Sequence, residues 1–507
     1  MAKTGILLSI RRHSLWTCGP RVSSDVPWKV PSHTAVNKLC FLNSRTTITP
    51  PLTMTTQSRR MSTGTTTSLS TKPSQLNDVL ISGAGIAGTA FAFWLLRVNP
   101  HVRITILEKA PAMRLTGASV DIRDSGVDVM RLMGLEDEIR KHCTNELGAD
   151  LIDSNGRVVA QFLATGDEKQ QSFTSEFEIF RGAIAQVIVD AVKKNDVDGR
   201  VKFVFGDEVM DYRHLEDGRV EVDFARDDHE TKVYDLLVAA DGVGSRIRRI
   251  MLDCGSRDHI RAIGVFGAYF TIKKDLIPGN RYWKWYNTTR GRIVMIRPDP
   301  HPDGRCRGFF VNVTTGEDAE LNIRLRKALQ EGHDAYKAIL EEQFRDAGWL
   351  APEILDAVHD SDDFYASEFL QVEAPKLASG RVVLLGDAGY AMMGIGTSNA
   401  MTFAYVLAGE LLKNSGDIEA ALSEYERQVL AHVREDRFTN LGAGWRWTNP
   451  QSQWGLTIRN GILELAYRVG LFGVARSLMS WMSVEDKVFK LPEYPFDMGD
   501  AKVQKSG

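Results

Sequence analysis

The stretch Asp78-Val-Leu-Ile-Ser-Gly-Ala-Gly-Ile-Ala-Gly-Thr-Ala constrains this chain more than any other. A short β-branched and aliphatic run feeds into Gly83-Ala-Gly85-Ile-Ala-Gly88, and a helix-forming run follows over 86–97. The order is strand, glycine turn, helix. Gly83 permits the tight turn, Gly85 leaves room for a pyrophosphate against the backbone, and Gly88 lets the helix lie close on the strand. The free amides at the start of such a helix, with the positive end of its dipole, suit phosphate. The next apolar run, Arg103-Ile-Thr-Ile-Leu-Glu108, ends in an acid twenty residues after Gly88. That is the place where a ribose hydroxyl is held in a dinucleotide site.

Composition narrows the remaining choices. A chain of 507 residues accommodates two or three domains, and 43% hydrophobic with 25% charged residues is ordinary for a globular protein. A net charge of -3 gives no reason to expect nucleic acid as a partner. Cys18, Cys40, Cys143, Cys254 and Cys306 are scattered, without the spacing of a zinc site or a disulfide framework. No metal site is expected; 359–363, His-Asp-Ser-Asp-Asp, reads as a solvated acidic loop.

Residues 1–76 stand apart. Lys3, Arg11, Arg12, Arg21, Lys29, Lys38, Arg45, Arg59, Arg60 and Lys72 face a single acid, Asp25, among many Ser and Thr. This is the composition of a mitochondrial transit peptide; the two competing readings are a disordered extension and a translation start at Met54 or Met61. Cytoplasmic and mitochondrial locations both stand.

Beyond the leader, the order of patterns predicts an α/β fold in four segments. Residues 77–254 together with 376–415 form the dinucleotide-binding part. Residues 255–375 form a second domain, with antiparallel strands at 263–272, 282–287, 292–297 and 306–313. Residues 416–507 form a C-terminal helical region. The apolar stretch 462–482 carries Glu464, Arg468 and Arg476, so it reads as an interfacial or core-packed amphipathic helix and not a membrane span. Contact with a membrane surface and the oligomeric state stay open. Period two places Trp283 and Trp285 on one strand face, where packing of the sheet on helices is the favoured reading over a substrate wall.

Two further segments repeat the message of the first. Asp235-Leu-Leu-Val-Ala-Ala-Asp241-Gly242-Val-Gly-Ser-Arg246 is an apolar strand ending in Asp-Gly, and Arg381-Val-Val-Leu-Leu-Gly386-Asp387-Ala388 is another ending in Gly-Asp. Gly394-Ile-Gly396-Thr397 then opens a helix of small and apolar residues. Carboxylates at the ends of parallel strands sit where α/β sheets bind ligands.

In this order of motifs, over about 77–415, the chain resembles the class A flavoprotein monooxygenases, the group of para-hydroxybenzoate hydroxylase and the tetracycline-inactivating hydroxylases. The resemblance implies a Rossmann-like FAD-binding domain, a second domain of mainly antiparallel sheet, and a C-terminal helical segment. It implies FAD as cofactor, NADPH (or NADH) as reductant, and O2 and a small aromatic, phenolic or polyketide-like molecule as substrates, with oxygen transferred through a flavin C4a-hydroperoxide. It assigns Glu108, followed by Lys109, to the adenosine ribose; Arg181 to the neighbourhood of the flavin; Arg114 and Asp121, seven residues apart, to NADPH and flavin; Asp241 with Arg246 to both cofactors; Asp387 to the ribityl chain. Gly394, Gly396 and Thr397 then face the reduced ring with amides and a helix dipole. The chain departs from the family after Asp387: Tyr390 stands where histidine is common, and the loop is about two residues short. A non-oxygenating dehydrogenase or reductase, or a FAD-stabilised binding protein without turnover, are the alternatives. No catalytic side chain is assigned.

Overall fold

The computed structural model describes residues 76–114, 117–164, 176–299, 301, 303–314, 319–435, 441–471 and 488–497. The basic leader and the second half of the apolar stretch 462–482 lie outside the described residues.

The apolar run after Asn77 becomes strand Asp78–Ser82, central in a six-stranded sheet. The order across that sheet is Ala378–Ser379, Val382–Leu384, Leu236–Ala239, Asp78–Ser82, Arg103–Glu108, Val201–Phe205. All neighbours run parallel except the edge pair Ala378–Ser379 with Val382–Leu384. Helices on its faces explain why its strands are continuous in apolar residues and do not alternate. From Asp78–Ser82 the chain steps one way to Arg103–Glu108 and later the other way to Leu236–Ala239. Ligands of open α/β sheets bind at the crevice that this reversal opens beyond the carboxyl ends of the strands.

All ten residues of helix Ile86–Leu95 are buried, and the helix packs against Gly396–Lys413 and Arg181–Asn195. Residues 488–497 run without helix or strand and fasten this pair from outside. The Tyr494 hydroxyl donates to the buried Glu410 carboxylate at 2.7 Å, and the Phe496 ring lies 4.9 Å from that of Trp94. Gly409 is required here, since a Cβ would lie 2.1 Å from the Tyr494 ring.

The second sheet has seven strands in the order Tyr365–Val372, Ile260–Ile272, Cys306–Val313, Arg292–Pro298, Tyr282–Thr288, Gly148–Ile152, Val158–Leu163. Its membership differs from the sequence segmentation: Gly148–Ile152 and Val158–Leu163 come from within 77–254 and extend this sheet's edge. The pairing of Gly148–Ile152 with Tyr282–Thr288 is made across more than a hundred residues, which no local pattern announces. Along Ile260–Ile272 a bulge at Gly264, φ +80°, resets the register. Phe266, Ala268, Phe270 and Ile272 then face helices Ala319–Glu331, His333–Phe344 and Ala351–His359.

The opposite face carries Trp283, Met295, Val311 and Val313, bordered by Trp285, Phe309, Phe369 and Met393. The two tryptophans stack at 5.4 Å on this face, opposite the three helices, in the cluster that Trp445 of helix Leu441–Thr448 borders. Trp285 also borders the small cluster of Leu151, Val159 and Ala160, against which Leu463 of Gln453–Arg468 packs. That helix buries Leu456 and leaves Trp454, Ile458, Ile462 and Leu465 exposed. No helix among the described residues is long and apolar enough to cross a membrane.

The acidic loop after Ala351–His359 is not simply solvated. Asp363 accepts from the Thr271 amide at 2.7 Å and pairs with Arg307 at 2.6 Å, which holds its carboxyl below the usual range against the opposing effect of burial. Among the described residues no cluster of His, Cys, Asp or Glu is arranged to hold a metal ion.

Candidate FAD site

The glycine turn is fixed from three sides. Gly83 has φ +113°, its amide donates to the Leu107 carbonyl at 2.7 Å, and a Cβ on it would stand 2.2 Å from the Ala240 carbonyl oxygen. Only glycine fits there. Gly88 is equally closed, its Cβ position lying 2.1 Å from the Gly83 oxygen. Gly85 is the contrast. It precedes helix Ile86–Leu95 with no side-chain cap, and nothing lies within 4 Å of its Cβ position. Open space in front of uncapped helix amides is the cradle that a pyrophosphate needs.

Glu108 stands beside that cradle. One carboxylate oxygen accepts from the Ala84 amide at 3.1 Å and the other from the Ala110 amide at 3.0 Å, which orients the group and leaves lone pairs for a sugar hydroxyl. Lys109 is exposed next to it.

Asp241 and Asp387 close the far side. Gly386, φ +64°, brings the late loop against the first helix, where its Cβ would lie 2.8 Å from that of Ala87. Asp387 then opens the short helix Asp387–Tyr390, half-buried, with one carboxylate oxygen 3.6 Å from the Cβ position of Gly396. Gly394, φ +88°, has no neighbour within 4 Å of its Cβ position, and Gly396 and Thr397 begin the long helix Gly396–Lys413 without a side-chain cap. Asp241 accepts from the Arg246 amide at 3.0 Å, while its other oxygen is buried without a partner. Burial pushes its carboxyl up, against hydrogen bonds from Ser245 and the Arg246 amide. An orphaned buried oxygen in this crevice fits a hydroxyl-bearing ligand.

Sequence reasoning missed Arg248. It is fully buried on helix Arg246–Leu252 and donates to the carbonyls of Ala388 at 2.8 Å and Val243 at 2.7 Å. One guanidinium thus ties the Asp-Gly loop to the Gly-Asp loop. The sequence shows only two arginines, Arg248 and Arg249, among the apolar residues of 247–252, too common a pattern to single out one of them.

The flavin-side assignments fall on a two-stranded ribbon, Ser119–Asp121 paired with Glu178–Phe180. Asp121 pairs with Arg123 at 2.6 Å, and the Arg123 amide donates to the Ser398 hydroxyl at 2.8 Å, which sets the ribbon beside the start of helix Gly396–Lys413. Arg181 follows the ribbon at the head of helix Arg181–Asn195, its Cβ 3.4 Å from the Cβ position of Gly117. Arg114 is exposed at the entrance to this segment and is not brought against the other residues.

Tyr390, which stands where histidine is common, is a core residue. It is buried behind the loop, its hydroxyl 3.0 Å from that of Tyr425 and its ring edge-on to Phe403. The exchange of histidine for tyrosine is therefore absorbed by packing against helix Ile418–Glu435. Tyr390→Phe should cost about 1 kcal/mol, the net worth of one buried hydrogen bond, and leave FAD affinity unchanged. Thermal unfolding alongside FAD titration checks this.

Sheet, glycine turn and paired acid-bearing loops together define a Rossmann-type FAD-binding protein. Comparison with known proteins agrees: the FAD binding domain family matches residues 77–435. The chain is 34% identical over 447 residues to the FAD-dependent monooxygenase asL4 of Sarocladium schorii, covering 82% of this chain and 98% of that one. It is 31% identical over 431 residues to asL6 of the same organism, covering 82% and 98%. Among solved structures, tetracycline destructase Tet(51) superposes with a TM-score of 0.62 at 24% identity, over 83% of this chain and all of that one, a likeness of fold. The protein belongs to the FAD-binding-domain family of flavin monooxygenases and is a FAD-dependent monooxygenase.

Proposed function

We propose that the protein uses NADPH or NADH and O2 to place one oxygen atom on a planar aromatic or polyketide-like molecule. The aromatic face of the seven-stranded sheet, opposite its three helices, carries this reading. Tyr269 stacks on Phe309 at 3.9 Å, Trp283 on Trp285 at 5.4 Å, and Phe369 and Met393 border the same surface. Gly267 makes that surface flat, because a Cβ there would stand 2.8 Å from the Phe309 ring and 3.2 Å from that of Phe369. Met393 immediately precedes Gly394, so the aromatic wall is continuous with the loop assigned to the flavin. Aromatic walls favour flat ligands through stacked and edge-on contacts.

Bound FAD supplies the hydride-accepting and oxygen-activating chemistry. The chain's own residues hold and bias it. The amides after Gly85 take the pyrophosphate, Glu108 the adenosine ribose, and Asp387 the ribityl hydroxyls. The uncapped amides at Gly396 and Thr397 stabilise negative charge developing near them. In this reading Arg114 and Asp121 serve NADPH and the flavin, with Asp121 on the flavin side. Arg114→Ala is expected to leave FAD bound and slow reduction at limiting NADPH about two- to fivefold, the scale of one exposed ion pair. Anaerobic stopped-flow with NADPH and NADH in parallel tests both the residue and the reductant; an unchanged rate removes Arg114 from the assignment.

A further inference from the structure

Arg297 sits near the end of strand Arg292–Pro298, on the aromatic face that carries Met295 and Trp283. Its Nε and Nη2 donate to the two oxygens of Glu146 at 3.0 and 2.6 Å, Nη2 also meets Glu178, and Nη1 donates to the Ser119 hydroxyl. The guanidinium carbon lies 4.9 Å from the centre of the Trp283 ring. The Glu146 and Glu178 side chains are 1% and 7% exposed, so the cluster is sealed. Glu146 precedes strand Gly148–Ile152, whereas Ser119 and Glu178 lie on opposite strands of the two-stranded ribbon. One side chain therefore joins sheet, linker and ribbon.

Its cross-strand neighbour acts on the same ribbon. Arg307 pairs with Arg297 in the sheet register, and its guanidinium lies 4.3 Å from the ring of Phe180, two residues beyond Glu178. Asp299 and Asp363 hold Arg307 in place at 2.8 and 2.6 Å. Two adjacent arginines thus grip alternate residues of strand Glu178–Phe180, which runs directly into Arg181. The paired strand carries Asp121.

Replacing a buried ion cluster by apolar residues is often neutral or stabilising, so stability alone does not account for this arrangement. A fixed geometry does. We infer that Arg297 is a positioning residue: through Glu146, Glu178 and Ser119 it locks the ribbon bearing Asp121 and Arg181 against the sheet, and so sets the spacing between cofactor and aromatic wall. The inference rests on the reading that Asp121 and Arg181 serve the flavin side.

The cluster also raises its carboxyls above their ordinary range. Glu146 and Glu178 share one guanidinium, Asp121 is close enough to repel both, Arg123 neutralises Asp121, and Cys143 lies alongside. Burial pushes Glu178 up to about 8, against the pull of Arg297, and its second oxygen has no hydrogen-bond partner. A carboxyl raised in the folded state contributes stability that is full below the ordinary carboxylate range and lost as pH rises through about 8. Thermal stability should therefore decline between about pH 5 and 8, and Glu178→Gln, which mimics the protonated acid, should flatten that decline.

Removing Arg297 alone strands two sealed carboxylates, so the test uses the neutral combination Arg297→Met, Glu146→Gln, Glu178→Gln in the full-length FAD-loaded protein. Amide exchange is followed in the ribbon, 117–123 and 176–182, against strands Asp78–Ser82 and Leu236–Ala239. Product formed per NADPH oxidised is measured with a phenol that the wild type oxygenates. The expected result is retained FAD, at least tenfold faster exchange confined to the ribbon, and at least a fivefold fall in product per NADPH with hydrogen peroxide making up the balance. Unchanged ribbon exchange in a folded, FAD-loaded variant overturns the inference, and so does loosened exchange with unchanged coupling. A combination that will not fold without Arg297 makes the cluster structural and also overturns it. If the wild type oxygenates no phenol, the proposed function fails on its own account, while the exchange arm still decides whether Arg297 holds the ribbon.

Discussion

Gly85→Trp should yield a folded protein without FAD. The Cβ position of Gly85 has no neighbour within 4 Å and its backbone is extended, φ -76°, so the indole enters open space and strains nothing. A non-capping residue before a helix costs less than about 1 kcal/mol when it replaces glycine. The same indole occupies the pyrophosphate cradle. Circular dichroism should match the wild type while the purified variant is colourless; stoichiometric FAD in it would refute the phosphate assignment. Gly88→Val should fail for a different reason. Its branched side chain would start 2.1 Å from the Gly83 carbonyl and 3.0 Å from the Ile81 side chain, forcing the buried helix off its strand. Overpacking against backbone in a core cannot relax locally, and a loss on the order of 4 kcal/mol or more is expected, seen as unfolding and not merely as lost cofactor. Two glycines three residues apart thus separate binding from folding.

Asp387→Ala is expected to weaken FAD binding ten- to a hundredfold with the fold intact. The carboxylate sits at the head of a short helix beside Gly396 and is half-buried, so its loss leaves no sealed partner behind. What is removed is at least one charge-assisted hydrogen bond to a ribityl hydroxyl, worth about 1.5 to 3 kcal/mol. Titration of FAD into the cofactor-free protein, read by flavin fluorescence, measures it. An affinity equal to wild type would take Asp387 out of the site.

The parts of this molecule legible in its sequence are those whose constraint is local. Gly83 is marked by its own positive φ and Gly88 by the Gly83 carbonyl in the same turn, and the acids Glu108, Asp241 and Asp387 mark ends of apolar strands, so both could be read without knowing what lies opposite. The antiparallel strands 282–288, 292–298 and 306–313 were legible for the same reason, being joined by short turns. What could not be read depends on partners far along the chain. Strand Gly148–Ile152 gains its place from Tyr282–Thr288, Arg248 from the carbonyl of Ala388, and Arg297 from Glu146 and Glu178. Tyr390 belongs here too: its place in the motif does not disclose that Tyr425 and Phe403, from two later helices, draw it into the core. A buried charge in particular leaves no periodic trace, because its neutralisation is a property of the assembled interior.

The central claim is that FAD held in this crevice serves oxygen insertion. The most direct measurement supplies the purified protein with NADPH and 18O2 over a panel of phenols and aromatic polyketides, with product mass and hydrogen peroxide recorded together. One 18O atom in the product for each NADPH consumed in coupled turnover is the expected result. Oxidised product carrying no label from O2, or NADPH consumption that yields only hydrogen peroxide with every substrate, would contradict it.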